Sequence, residues 1–88
     1  MGEGCTEEQL VLYETGWCPF CLRVRAVVRR LGIEIPSRDV ARQREYRAEL
    51  VAARGRGTVP VLRVVSSGRD EWIGESVDII RYLEDRYG

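Results

Sequence analysis

Three residue types are missing from this 88-residue chain, which contains no histidine, no lysine and no asparagine. All 14 basic residues are therefore arginines, and 14 acidic residues balance them. The absence of histidine excludes every mechanism that uses an imidazole as general base. The zero net charge provides no overall field that would draw the chain to nucleic acid, so we expect no nucleic-acid partner.

The chain also lacks a long apolar segment. No run approaches the roughly 20 residues that a membrane-spanning helix requires, and the acidic residues 1–8 have no apolar core of the kind found in secretory signals. These absences predict a cytoplasmic protein with no membrane partner. The length suffices for one domain, and we expect a monomer with a flexible tail at residues 1–8 and the domain at residues 9–88.

Cysteine is scarce, with three residues. In a reducing compartment, three thiols are better explained as free or redox-active groups than as a structural disulfide framework. A zinc site requires four ligands, and without histidine these thiols are too few, so no metal site is expected. Cys5 lies in the polar tail and is interpreted as a bystander.

Short apolar runs rich in branched residues and apolar residues at helical spacing predict seven elements in the order β-α-β-α-β-β-α. The first strand covers residues 10–13, and the first helix begins at Pro19 and ends at Gly32. A second strand over residues 34–40 contains Pro36 and is therefore expected at an edge of the sheet. The remaining predictions are a helix over 41–54, strands over 59–65 and 70–73, and a helix over 76–87.

Strands that a helix connects are expected to run parallel through right-handed crossovers, and the last two strands to form an antiparallel hairpin. Four strands with helices on both faces form a three-layer α/β domain. The side chains predicted to face the core from the first and last helices are Cys21, Val24, Val28, Leu31, Ile79, Ile80, Leu83 and Tyr87.

Two cysteines stand at the start of the first helix, in the tetrapeptide Cys18-Pro19-Phe20-Cys21. Unpaired N–H groups and the positive end of the helix dipole favour an anion at this position, so Cys18 is expected to be a reactive thiolate. Cys21 lies one turn further along, on the inward stripe, where it can resolve a mixed disulfide formed at Cys18. A plain structural disulfide is the alternative, but the position between a first strand and a first helix favours the redox role.

Three segments, in this order, resemble the glutaredoxin family and the related N-terminal domain of glutathione transferases. They are Tyr13 to Cys21, Thr58-Val59-Pro60 and Gly74 to Ile79. The resemblance implies a thioredoxin-like fold with a four-stranded mixed sheet and three helices. It also implies an enzyme, a glutathione-disulfide and protein-disulfide oxidoreductase.

The active-site loop departs slightly from the family. Its usual tetrapeptide is Cys-Pro-Tyr-Cys, and here Phe20 replaces the tyrosine. The resemblance implies that Trp17, Pro19 and Phe20 shape this loop around the cysteines.

The resemblance also implies where glutathione binds. In the family, the proline that matches Pro60 follows a cis peptide bond and faces the reactive cysteine, and the backbone at Val59, beside Thr58, pairs with the cysteinyl part of glutathione. A trans proline that begins a strand is the alternative. Glu75 and Ser76 match a transferase-type pair that holds the γ-glutamyl end at a helix N-terminus. Ordinary N-capping by Ser76 is the other interpretation.

One position differs from many glutaredoxins, which carry a lysine three residues before the nucleophilic cysteine. Here that residue is Thr15. Arg56 or Arg42 could supply the missing positive charge, and solvated surface arginines are the alternative. The resemblance implies glutathione or a similar small thiol as co-substrate, protein disulfides as substrates and no tightly bound cofactor.

Together these features predict a glutaredoxin that reduces protein disulfides and glutathione mixed disulfides through Cys18 and Cys21, in electron transfer and cell redox homeostasis. Two alternatives share the fold. One is an iron–sulfur cluster carrier, which Pro19 disfavours because cluster-binding members of the family usually lack that proline. The other is a glutathione-binding module of transferase type without strong reductase activity.

Overall fold

The structure is a computed structural model that describes residues 8–16 and 18–88. These residues form the predicted order of elements, and the thioredoxin-like fold class is confirmed. The elements are β1 (Gln9–Glu14), α1 (Pro19–Leu31), β2 (Ser37–Asp39), α2 (Arg44–Arg54), β3 (Val61–Ser66), β4 (Arg69–Ile73) and α3 (Ser76–Tyr87).

The strands form one mixed sheet in the order β2-β1-β3-β4. β2 runs parallel to β1, as predicted, but β3 runs antiparallel to β1, with Tyr13 opposite Val61 and Gln9 opposite Val65. The prediction that all helix-connected strands are parallel is therefore wrong for β3. A pattern of strands and helices does not specify the end of the sheet at which a connection emerges, and residues 55–60 start β3 at the end where β1 finishes.

The reversed direction of β3 brings several chain segments to the same end of the sheet. β4 is antiparallel to β3, with Ile73 opposite Leu62, so β4 ends where β3 begins. α1 follows β1 after a short loop, and α3 follows β4 directly. The starts of α1, β3 and α3 therefore lie close to one another.

Helix α1 has the predicted bounds, and the signals that set them are visible. Cys18 is its N-cap residue and Pro19 its first helical residue. Gly32 ends the helix in the left-handed region, with a φ of 71°, and donates its N–H to the carbonyl oxygen of Arg29 at 3.1 Å. Glycine is the residue that adopts this conformation most easily.

The second strand and second helix are shorter than predicted. β2 begins only after Pro36, whose carbonyl oxygen accepts the N–H of Leu12 at 2.9 Å, and β2 lies at the sheet edge as expected. The carboxylate of Asp39 accepts the N–H groups of Ala41 and Arg42 at 2.9 and 3.1 Å. This turn delays α2 until Arg44, because a side chain that bonds the backbone locally competes with the helix.

Apolar side chains cover both faces of the sheet because successive strand residues point to opposite sides. The core beneath α1 and α3 contains Leu12, Val24, Leu62, Val64, Ile79 and Leu83. The core beneath α2 contains Tyr13, Val40, Leu50 and Val61. The three-layer arrangement is confirmed. Tyr87, which was predicted to face inward, is 39% exposed because it occupies the last position of α3.

Candidate active site

Cys18 occupies the N-cap position of α1, where the backbone is extended (φ −102°, ψ 118°). Its half-buried sulfur accepts the backbone N–H of Cys21 at 3.4 Å. Its S–H donates to the carbonyl oxygen of Val59 at 3.8 Å. The unpaired N–H groups and the dipole at a helix start favour a negative charge there, and the thiolate is the form of cysteine that attacks disulfides.

Cys21 lies one turn further along α1 and is fully buried. Burial raises the pKa of the Cys21 thiol to about 12, the N–H of Thr15 acts in the opposite direction, and the hydrogen bond with Cys18 adds to the increase. Cys21 is therefore a neutral thiol at neutral pH, and both sulfurs are free. Two cysteines on the same helix thus have different surroundings.

The segment Thr58-Val59-Pro60 approaches the same sulfur from the start of β3. The Val59–Pro60 peptide bond is cis, as the resemblance implied. Pro60 is buried and Thr58 is exposed. The contact between Cys18 and Val59 joins residues that are 41 positions apart in the sequence.

Helix α3 begins at the same end of the sheet. Glu75 is its N-cap residue and makes no side-chain capping hydrogen bond, while Ser76 is its first helical residue. The carbonyl oxygen of Glu75 accepts the N–H of Ile79 at 2.8 Å. The interpretation of Ser76 as the N-cap residue is therefore wrong. The Glu75 side chain leaves the first N–H groups of α3 to other acceptors, such as a ligand carboxylate.

The remaining predicted site residues divide into three groups. Pro19 and Phe20 form the exposed first turn of α1, and Phe20 is 55% exposed. Trp17, predicted to shape the active-site loop, lies outside the described residues, as does Cys5. Arg42 and Arg56 have exposed side chains, which agrees with their interpretation as surface arginines.

An ion pair between a buried carboxylate and a half-exposed guanidinium was not predicted from the sequence. Glu14, the last residue of β1, is only 3% exposed. Its two carboxylate oxygens accept hydrogen bonds from Nε and Nη2 of Arg25 at 2.7 and 2.8 Å, and this raises the pKa of the Arg25 guanidinium. Arg25 follows Cys21 by four residues, so both lie on one face of α1. An acid that directly continues an apolar strand was the available signal.

Two cavities lie near this pair. A cavity of about 140 Å³ is lined by Glu14, Thr15, Gly16, Leu22, Arg25, Ser37 and Asp39. A larger cavity of about 700 Å³ lies between α1 and residues 33–37, and neither cysteine lines it. The larger cavity is therefore separate from the thiol chemistry.

Within residues 8–16 and 18–88, no group of three or more His, Cys, Asp or Glu side chains is placed to hold a metal ion. Among the helices in this part of the chain, none has the length and apolar character needed to cross a membrane.

Comparisons with known proteins agree with this geometry. The family described as "Glutathione S-transferase, N-terminal domain" matches residues 17–86. A glutaredoxin of Pseudomonas aeruginosa is 34% identical over 67 residues, which cover 76% of this chain and 69% of that protein. The solution structure of a glutaredoxin from Brucella melitensis has a TM-score of 0.61 and 27% identity, and the match covers 97% of this chain and 86% of that one.

A longer enzyme shares the same fold over part of its length. The crystal structure of maleylacetoacetate isomerase from Anaeromyxobacter dehalogenans, with glutathione bound in its active site, has a TM-score of 0.72 and 27% identity. The match covers 93% of this chain and 39% of the isomerase. This chain belongs to the thioredoxin-fold family of glutaredoxins and glutathione S-transferase N-terminal domains.

Proposed function

We propose that this protein is a glutathione-dependent thiol–disulfide oxidoreductase that reduces glutathione mixed disulfides and protein disulfides through Cys18 and Cys21. The observation that carries the proposal is the contact of 3.8 Å between Cys18 Sγ and the Val59 carbonyl oxygen. It combines a sulfur at a helix N-terminus with the backbone segment to which the family resemblance assigns the cysteinyl part of glutathione.

Reduction of a glutathione mixed disulfide begins with the Cys18 thiolate. Its sulfur attacks the glutathione sulfur, the substrate S–S bond breaks, and the departing protein thiolate takes up a proton. A second glutathione thiolate then attacks the glutathione bound to Cys18. This releases oxidised glutathione and restores the Cys18 thiolate, so Cys21 is not required for this route.

Reduction of a protein disulfide requires both cysteines. Cys18 first forms a mixed disulfide with the substrate, and Cys21 then attacks the sulfur of Cys18. The reduced substrate leaves and a Cys18–Cys21 disulfide remains, which two glutathione molecules reduce. Because Cys21 is buried and protonated, it stays inactive until the mixed disulfide forms beside it.

Glutathione is proposed to lie between the starts of β3 and α3. Its cysteinyl backbone pairs with Val59, and its γ-glutamyl carboxylate meets the N–H groups and the Ser76 hydroxyl at the start of α3. Glu75, which is exposed and makes no capping hydrogen bond, receives the ammonium group. We place the reaction in a reducing compartment such as the cytoplasm, since it consumes reduced glutathione.

The rate of deglutathionylation tests this proposal. The wild-type protein, Cys18→Ser and Cys21→Ser are compared with a glutathionylated peptide as substrate. We expect Cys18→Ser to fall to the uncatalysed rate, because a hydroxyl cannot replace the thiolate, and Cys21→Ser to retain most of the activity. Full activity of Cys18→Ser would contradict the proposal.

A glutathione-binding module without strong reductase activity is the second candidate. The observation that favours it is the match to an enzyme with glutathione in its active site, of which this chain spans 39%. Calorimetric binding of glutathione, together with no turnover of the glutathionylated peptide by the wild-type protein, would support this candidate over the first.

A further inference from the structure

The Glu14–Arg25 ion pair joins the end of β1 to α1, one helical turn after Cys21. Glu14 is followed by Thr15, whose backbone N–H interacts with the Cys21 sulfur. Arg25 follows Cys21 by one turn of α1, and two of its nitrogens donate hydrogen bonds to the Glu14 carboxylate. The negative charge of Glu14 opposes ionisation of Cys21, whereas Arg25 and an ionised Cys21 attract each other.

Burial of its acid makes this pair different from the ion pair between Arg30 of α1 and Glu84 of α3. The Glu14 side chain is 4% exposed and that of Glu84 is 45% exposed, whereas the side chains of Arg25 and Arg30 are both largely open to solvent, at 52% and 60%. Water screens charges at the surface far more strongly than charges in the interior. The charge of Glu14 therefore acts on its buried neighbours, while that of Glu84 is largely screened.

We propose that the Glu14–Arg25 pair sets the rate at which Cys21 resolves a mixed disulfide on Cys18. Glu14 slows this step by opposing loss of the Cys21 proton, and Arg25 accelerates it by favouring the thiolate. Both are positioning residues that act through Cys21. The inference rests on the proposed function only in requiring a mixed disulfide at Cys18.

The resolving step leaves the number of S–S bonds unchanged. Cys21 loses its proton to solvent, and its sulfur attacks the sulfur of Cys18. The bond between Cys18 and the substrate sulfur breaks as the Cys18–Cys21 bond forms, and the departing thiolate takes up a proton. No external oxidant or reductant is consumed, so the thiolate fraction of Cys21 controls the rate.

The charged and titratable groups that act on Cys21 come from two elements. Glu14 belongs to β1, while Cys18 and Arg25 belong to the start and second turn of α1. Asp39 of β2 acts on Arg25 and lines the same cavity of about 140 Å³. The carboxylate of Asp39 already accepts two backbone N–H groups. Glu14 is therefore the acid whose charge opposes ionisation of Cys21.

An aromatic disulfide measures the resolving step without glutathione. The protein carries Cys5→Ser, is fully reduced, and is mixed in a stopped-flow instrument with one equivalent of dithiobis(nitrobenzoate). Cys18 attacks the reagent and releases the first thionitrobenzoate, and Cys21 then attacks Cys18 and releases the second. The absorbance of the released thiolate separates the two phases, so the second phase reports the resolving step.

The two members of the pair are expected to shift this second phase in opposite directions. Glu14→Gln should accelerate it about threefold to tenfold, because removing a nearby like charge lowers a pKa by about one unit or more and thiolate reactivity falls only partly as the pKa falls. Arg25→Gln should slow it by a smaller factor, because water screens the half-exposed guanidinium. Both variants break the same hydrogen bonds, so a purely structural role would move both rates in one direction.

Matched controls separate the effect of charge from the effect of substitution. Glu84→Gln and Arg30→Gln remove the same charges from an exposed pair that links α1 to α3 and should leave the second phase unchanged. Arg25→Lys keeps the charge and should restore a rate close to that of the wild type. If Arg25→Gln does not fold, Glu14→Gln with Arg25→Gln is compared with Glu14→Gln alone, and the double variant should be slower.

Shifts in the same direction, or no shift, would overturn the inference. The proposed function fails in a different way. Opposite shifts combined with an absence of deglutathionylation would leave the role of the ion pair intact and remove the role of glutathione. If the wild-type protein released no second thionitrobenzoate, both the role of the ion pair and the proposed function would be contradicted.

Discussion

Cys18 and Cys21 are separated by one turn of α1 and differ in almost every physical property that controls a thiol. Cys18 is half-buried, caps the helix and contacts the backbone of Val59. Cys21 is fully buried, and burial raises its pKa to about 12. The two cysteines are only one helical turn apart, but the helix end favours an anion and the core disfavours one.

This difference explains why a pair of identical residues can be assigned different roles. The proposed nucleophile lies where unpaired N–H groups favour the thiolate, and the proposed resolving residue lies where the thiolate is disfavoured. The inferred effect of the Glu14–Arg25 pair would add a second level of control, because the carboxylate of Glu14 is buried at the end of β1. The comparison can be tested by changing one environment at a time.

The largest expected effect concerns the reactivity of Cys21. With Cys18→Ser, alkylation of Cys21 by iodoacetamide at neutral pH should be about a hundredfold slower in the native protein than in urea, because a pKa of about 12 leaves far less thiolate than the ordinary value near 8.5 and the greater reactivity of that thiolate offsets only part of the loss. Peptide mass spectrometry identifies the modified residue. Similar rates in the two conditions would show that the Cys21 environment is not protective.

A substitution in the core beneath α2, on the sheet face away from α1, should reduce stability without changing the relative reactivity of the two cysteines. Leu50 is fully buried and anchors α2 to the sheet face that lies opposite α1. Leu50→Ala should lower the free energy of unfolding by about 2–5 kcal/mol, the usual cost of such a cavity. Urea denaturation measures this loss. The ratio of Cys18 to Cys21 alkylation rates should be unchanged, and a changed ratio would mean that the two cores are coupled.

The burial of Cys21 also predicts a pH dependence of stability. Its folded pKa lies above its unfolded value, so its contribution is complete below about pH 8.5 and is lost as the pH rises towards about 12. Tyr82 contributes over a narrower range, between its ordinary pKa of about 10 and the value of about 12 to which burial raises its pKa, and this contribution is the same in both proteins compared below. The difference in unfolding free energy between wild type and Cys21→Ala should therefore fall by about 2 kcal/mol between about pH 9 and about pH 11. A constant difference would contradict the assigned surroundings of Cys21.

The smallest effect is expected at the exposed ion pair of α1. Arg30→Gln should lower the free energy of unfolding by less than about 1 kcal/mol, since solvent screens such pairs. Thermal unfolding at low and high salt measures the change. A loss as large as that caused by Glu14→Gln, which removes a buried charge, would show that burial of the acid does not distinguish the two pairs.

Features with local causes could be predicted from the sequence. The bounds of α1 follow from Pro19 and Gly32, and the edge position of β2 follows from Pro36. The approach of Thr58-Val59-Pro60 to Cys18 was expected only through the family resemblance, because residues 41 positions apart give no local signal. The direction of β3 was predicted incorrectly because the connection after α2 determines it.

The ion pair of Glu14 and Arg25 shows more clearly which contacts a sequence does not predict. Arg25 by itself looks like an ordinary surface charge, since arginines are frequent throughout the chain, and the position of Glu14 at the end of an apolar strand indicates burial but not its partner. Their pairing depends on how α1 packs against the end of β1, which is a property of the tertiary fold. The delayed start of α2, in contrast, has a local cause. Asp39 forms a turn with the backbone that follows it, and its side-chain acceptor is visible in the sequence.

The most direct measurement of the central claim is the identity of the trapped intermediate. Cys21→Ser is incubated with a glutathionylated peptide without free glutathione, and the protein is digested and mapped by mass spectrometry. We predict one glutathione per chain, attached to Cys18, because Cys18 attacks the mixed disulfide and no thiol remains beside it to resolve the product. Glutathione found only on Cys5, or no adduct on Cys18 while the peptide is still reduced, would contradict this account.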